Sequence, residues 1–119
     1  MTVEADKRTK WQHTERRNTR EALSKVKMML LDLGFTSTTP HSYRISLNGK
    51  ACGVGLSKLS RTPRLRIFAS IDGIAEPLIS HADVSRFQDN SEDCANKIVQ
   101  FVKSVALPWF QEQTGGRHA

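Results

Sequence analysis

Two cysteines in 119 residues are too few for a disulfide framework, and Cys52 and Cys94 stand far apart with no paired motif. The same scarcity speaks against a thiolate zinc site, which needs more ligands at tighter spacing. Histidine does not make up the deficit. His13, His41, His81 and His118 are scattered, and none forms a ligand set with a second His, Cys or acid one helical turn away. Long apolar runs are also missing. Nothing approaches the roughly 20 residues that a membrane span requires. Residues 1–20 are polar and charged and lack the apolar stretch of a secretory leader, so a cytoplasmic chain is expected. No internal repeat or low-complexity segment breaks the pattern.

What is present is ordinary for a folded chain. Hydrophobic residues make up 38% and charged residues 25%, which excludes a disordered composition. The length suits one domain with one core. Net charge is +6, from 18 basic and 12 acidic residues, and its distribution is uneven. Residues 1–32 carry +3. Residues 33–71 contain no acid at all and hold Arg44, Lys50, Lys58, Arg61, Arg64 and Arg66. Residues 72–112 carry −4. Such segregation bears on partners rather than on fold.

The first helix is expected at about residues 15–33. Ala22, Leu23, Val26, Met29, Leu30 and Leu33 form one stripe at helical period. Asn18 or Thr19, or the earlier Thr14, would cap its start. Gly34 supplies a left-handed stop, and Phe35 follows where a Schellman motif wants an apolar contact. Before it, residues 1–14 read as a flexible basic arm, with Lys7, Arg8 and Lys10, in which Trp11 docks on the body or on a partner. Thr36 to Pro40 reads as a polar turn.

Three strands follow. Tyr43, Ile45 and Leu47 alternate with polar residues, and Asn48-Gly49 is a two-residue hairpin signal. Cys52, Val54 and Leu56 alternate with Gly53, Gly55 and Ser57. After a basic loop at residues 58–64, Leu65, Ile67, Ala69 and Ile71 alternate with Arg66, Phe68 and Ser70. Residues 74–79 would make a fourth, edge strand at most, because Pro77 cannot sit in a central one. Residues 81–90 read as loop. Ser91 would cap a second helix, with Glu92 and Asp93 favourable at its N-terminus. Its stripe is Cys94, Ile98, Phe101, Val102, Val105 and Trp109, with a break or kink from Pro108 at Leu107. Residues 114–119 would be a frayed tail.

This order predicts an α+β two-layer sandwich over residues 15–113: helix, three (or four) antiparallel strands, helix, with both helices on one sheet face. The opposite face would look outward, carrying Ser42, Arg44, Ser46, Gly53, Gly55, Ser57, Arg64, Arg66 and Phe68. The Leu-Gly-Phe ending at Phe35, the Tyr43-Arg44 strand start and the terminal Leu107-Pro108-Trp109-Phe110 resemble a family of small uncharacterised bacterial α+β domains. The likeness covers roughly residues 20–112. It implies a fold type and a bacterial or phage setting, and no reaction.

The chemistry of an enzyme is not apparent. Ser80, His81, Asp83 and Ser85 are near one another, but such spacing arises readily in a polar loop. The two cysteines fall on buried stripes, where a thiol is inert. Gly53-Val54-Gly55-Leu56-Ser57-Lys58 is not a nucleotide-loop pattern, since no helix begins after it. No catalytic residue, metal ligand, cofactor or small-molecule substrate is expected. The expectation is a non-enzymatic binding module, such as an accessory subunit or an immunity-type inhibitor, with a protein partner or self-association. The alternative is a nucleic-acid binder using the basic sheet face and the arm. In both, the binding residues would be Arg44, Lys58, Arg61, Arg64, Arg66 and Phe68, with Arg16, Arg17 and Arg20.

Overall fold

The computed structural model describes residues 3–59, 61–74 and 76–115, with residues 3–9 described by backbone alone. In chain order the elements are α1 (Val3–Asp32), β1 (Thr36–Thr39), β2 (Ser42–Leu47), β3 (Lys50–Lys58), β4 (Arg64–Ile71), β5 (Leu78–Asp83), α2 (Ser91–Phe101), a π-helical turn (Val102–Ala106) and α3 (Leu107–Gly115). The strands form one antiparallel sheet in the order β1-β2-β3-β4-β5, so each connection is a hairpin. The expected α+β arrangement is observed, with both sheet edges extended. The polar turn expected at 36–40 is instead β1. The edge strand expected at 74–79 lies later, at Leu78–Asp83, with Pro77 just outside it.

The helix stop behaves as the sequence dictates. Gly34 has φ +101°, and two bonds close the end: Phe35 N donates to Leu30 O and Gly34 N to Leu31 O, both at 3.0 Å. That is the Schellman pair, with Phe35 and Leu30 both buried. Asn48 and Gly49 have φ of 52° and 79°, the two left-handed positions of a type I′ hairpin turn.

Helix α1 is longer than expected. It begins at Val3, so the segment expected as an arm is helical from that residue on. No residue near 15 caps anything. Thr19 donates its hydroxyl back to Glu15 O within the helix, and Asn18 is fully buried in mid-helix. Ser91 does not cap α2 either: its hydroxyl meets Glu21 on α1, and Asn90 stands at the N-cap position. Of the expected tail, residues 114 and 115 end α3, and 116–119 lie outside the described residues.

The core lies between the helices and one sheet face. Ala22, Val26 and Leu30 of α1 meet Tyr43, Val54, Ile67 and Ala69 of the strands and Ile98, Val102, Ala106 and Phe110 of the C-terminal helices. The expected stripe of α2 holds as far as Val102 and then shifts by one residue. Val105 is 43% exposed, while Ala106 and Phe110 are fully buried. The cause is the π turn. Leu107 N bonds to Val102 O, five residues back, so an extra residue enters the turn. The same turn precedes Pro108, which has no N–H to donate, and the chain continues as α3 instead of breaking.

Candidate binding surfaces

Strand alternation sends one set of side chains away from the helices. Register then lines them up in rows. Arg44 faces Gly53, which faces Ser70. Ser42 faces Gly55, Phe68 and Ile79 in turn. Ser57 faces Arg66 and His81, and Arg64 faces Asp83. Arg44, Ser46 and Ser70 are exposed, and Ile79 is 52% exposed. At the centre the Arg66 guanidinium lies 5.8 Å from the Phe68 ring centroid, a cation–π contact worth about 0.5–1 kcal/mol at such a site. Arg66 Nε is buried with no hydrogen-bond partner. Beside the pair is a depression of about 200 Å³ lined by Arg44, Gly53, Gly55, Phe68, Ser70 and Asp72. Its floor is low because glycine has no side chain. A Cβ at Gly53 would stand 3.3 Å from Ser70 Oγ.

The nine expected binding residues therefore divide. Arg44, Arg64, Arg66 and Phe68 share the outer sheet face. Lys58 points to the helix side, where its Nζ is 2.6 Å from Glu15 Oε2 and donates to Leu59 O and Thr62 O. These bonds tie it to Leu59 and Thr62, and it does not face outward. Arg16 and Arg20 lie beside it along a groove on the flank of α1. Arg17 pairs with Asp89 elsewhere, and Arg61 stands exposed in the loop with φ 67°. The basic run is not acid-free in space. Asp83 reaches Arg64 at 3.3 Å, Glu15 reaches Lys58, and Asp72 lines the depression with Arg44.

Glu15 joins three elements, since Arg86 Nε also donates to it at 2.7 Å. Partial burial pushes its pKa up, but the bonds from Arg86 and Lys58 outweigh this and hold it below its ordinary value of 4.5. A carboxylate with a depressed folded pKa stabilises fully above the unfolded value and loses that contribution as pH falls through the folded one. Urea midpoints are therefore expected to decline below about pH 4.5 more steeply in the wild type than in Glu15→Gln. Parallel curves for the two proteins would refute the linkage.

The Ser-His-Asp grouping does not assemble. His81 and Asp83 share the outer face of β5, whereas Ser80 points to the other side. Ser85 Oγ accepts from Phe87 N and Gln88 N and belongs to the loop. Among the described residues no group of three or more His, Cys, Asp or Glu side chains could hold a metal ion. The Gly53–Lys58 segment is continuous strand. Both cysteines are buried. Burial and the nearby Asp83 push the Cys94 thiol up to about 11, and burial and Asp72 raise Cys52. At pH 8 the folded protein is expected to react slowly with Ellman's reagent, and both thiols should titrate at once in guanidinium. Rapid reaction of either in the native state would contradict this placement.

One feature was not anticipated from the sequence. The loop from Asp83 to Asn90 is knitted by side chains. Asn18 donates to Ser85 O and Gln88 O and accepts from Asn90 N. Asn90 bonds in turn to Ser85 N and Asp83 O. This loop holds out Phe87, 76% exposed, against which Trp11 packs edge-on at 5.5 Å. A signal was available: Asn18, Ala22, Val26 and Leu30 fall at intervals of four, so a polar residue extends the apolar stripe.

No protein-family model, curated protein or solved structure matches this chain.

Proposed function

We propose that this protein is a small non-enzymatic binding module, bacterial or phage in origin and cytoplasmic, whose partner is a protein. The docking surface is the outer sheet face. The observation that carries this reading is that, among the described residues, no helix packs over the outer face of the five-stranded sheet, where the Arg66 guanidinium lies over the Phe68 ring. Arginine and aromatic side chains are the anchors on which interface energy concentrates. The half-exposed Ile79 and the glycine floor at Gly53 and Gly55 let a partner approach closely. Arg44 and Arg64 at the rim favour a partner with acidic groups at its own rim, or a second copy using its acidic C-terminal half.

Nucleic acid is the competing ligand for the same face. Asp72 and Asp83 intrude among its arginines, and one aromatic residue is a thin base-stacking platform. Two measurements separate the readings. Immobilised protein is exposed to a nuclease-treated lysate of the source organism, beside an Arg66→Glu/Phe68→Ala variant. A partner retained by the wild type and reduced about tenfold or more on the variant is expected. In parallel, mixed short DNA and RNA are titrated at low and moderate salt. Tight binding with a steep salt slope, lost in Arg64→Glu/Arg66→Glu, would overturn the protein-partner reading in favour of nucleic acid.

A further inference from the structure

A larger concavity than the one on the sheet face lies elsewhere. It is an open groove of about 730 Å³ between α1 and the β1 edge, lined chiefly by Arg16, Arg20, Leu23, Lys27, Pro40 and Lys58. Helix α2 covers the other flank of α1, where Glu21 meets Ser91 and where Met29 and Leu33 lie beside Asn96 and Val99. Among the described residues the groove flank has no such cover. Arg16, Arg20, Leu23 and Lys27 recur at i, i+4, i+7 and i+11, so they form one file beside the buried stripe.

Among the described residues the charge of this file is uncompensated. Arg16, Arg20 and Lys27 make no ion pair among the described residues. The carboxylate lining the groove, Glu15, is already held between Lys58 and Arg86. At 1.5 Å per residue the three cations extend over about 16 Å. One small anion cannot reach all of them, so the complementary ligand is a chain bearing several negative charges. The remaining wall distinguishes which chain. Among the described residues no aromatic side chain lines the groove to stack a base. Leu23, Pro40 and the aliphatic stems of the basic residues offer apolar surface instead.

We propose that this groove is a docking site, separate from the sheet face, for an extended acidic peptide segment that alternates carboxylates with aliphatic residues. The spacing fits that occupant. Arg16 and Arg20 are about 6 Å apart along the helix, and two residues of extended chain advance about 6.6 Å. Alternate carboxylates thus meet successive arginines, and the residues between them turn to the other side, where Leu23 and Pro40 supply apolar contact.

The test is fluorescence anisotropy with a short labelled peptide alternating Glu with Leu and Val. The comparison ligands are the same peptide with Ser in place of its aliphatic residues and a short oligothymidylate. The alternating peptide should bind at least about tenfold more tightly than either, with affinity falling as salt rises. Arg16→Glu/Arg20→Glu should weaken it by about tenfold or more, and the milder Arg16→Gln/Arg20→Gln should weaken it in the same direction. Circular dichroism verifies that both variants remain folded. Arg44→Glu/Arg66→Glu should leave it within about twofold, because those residues occupy the opposite sheet face; this separates the groove from the surface proposed above. Absent binding, equal binding of the serine peptide, tighter binding of the oligothymidylate, or insensitivity to both groove variants would each overturn the proposal.

Discussion

Asn18→Leu is expected to destabilise the protein by about 3 kcal/mol, although it places an apolar residue of similar size at a fully buried position. Leucine keeps the branched outline and the number of heavy atoms, so the effect falls mainly on the amide's hydrogen bonds. Its NH2 group donates to Ser85 O at 3.0 Å and Gln88 O at 2.9 Å, and its oxygen accepts from Asn90 N at 3.2 Å. Leucine leaves all three backbone groups without that partner. Each such loss costs about 1–3 kcal/mol when water cannot replace it, and the part-exposed loop recovers some of the sum. Asn18→Asp should be worse. It keeps the acceptor for Asn90 N but turns a carboxylate oxygen toward two carbonyls that had been receiving hydrogen bonds. Urea unfolding followed by circular dichroism measures both. A loss below about 1 kcal/mol for Asn18→Leu would show that the loop stands without its anchor.

Phe110→Ala should cost about 3–5 kcal/mol, the range for deleting a fully buried aromatic side chain. A domain of this size commonly has only 5–15 kcal/mol in total. Phe110 is where the shifted stripe ends: its ring closes the core at the C-terminal end of the chain and lies 5.8 Å from that of Trp109. Leu107 and Trp109 add partly buried contacts to the core, and polar bonds help fix the end of α3. Thr114 accepts a hydrogen bond from Asn48 at the β2–β3 turn, and its hydroxyl donates to Phe110 O. Phe110→Leu retains most of the apolar volume and should lose only about 1 kcal/mol. Val105→Ala is the informative contrast. Val105 is 43% exposed, so its truncation should fall within about 0.5 kcal/mol. If Val105→Ala proved as damaging as Phe110→Ala, the register set by the π turn would be wrong.

That pair of positions marks the limit of periodicity. Val105 and Trp109 continue the apolar spacing begun at Cys94, and a uniform helix would bury them. One five-residue hydrogen bond shifts the buried file to Ala106 and Phe110. Pro108 announces a disturbance near that point but not which kind, because a kink, a break and a widened turn all relieve the missing N–H. The first edge strand, read as a polar turn, lacks a local signal for a related reason. Thr36–Thr39 has no apolar alternation, and β1 exists because β2 presents an open ladder beside it, with Thr36 paired to Arg44 and Ser37 to Tyr43. Strand propensity is decided largely by neighbours.

The binding residues were legible as types and not as a set. The acid-free composition of residues 33–71 suggested one continuous basic surface. Strand alternation sends Arg44 and Arg66 outward but turns Lys58 inward to Glu15, and β4–β5 pairing brings Asp83 beside Arg64. Charge counted along a chain carries no information about which acids are folded against it.

From the sequence alone come the features whose cause is local. The α1 stripe is periodic within a few turns, Gly34 and Phe35 end the helix through bonds to residues three and five positions back, and Asn48-Gly49 turns the hairpin by its own backbone preference. Alternation within each central strand likewise settles which side chains meet the helices. The tertiary structure decided whatever depends on partners distant in the chain. It buried Asn18 to hold a loop some 70 residues away, divided nine basic and aromatic residues among separate surfaces, and left one flank of α1 uncovered. Those outcomes follow from which elements pack together, and no short-range pattern encodes that choice.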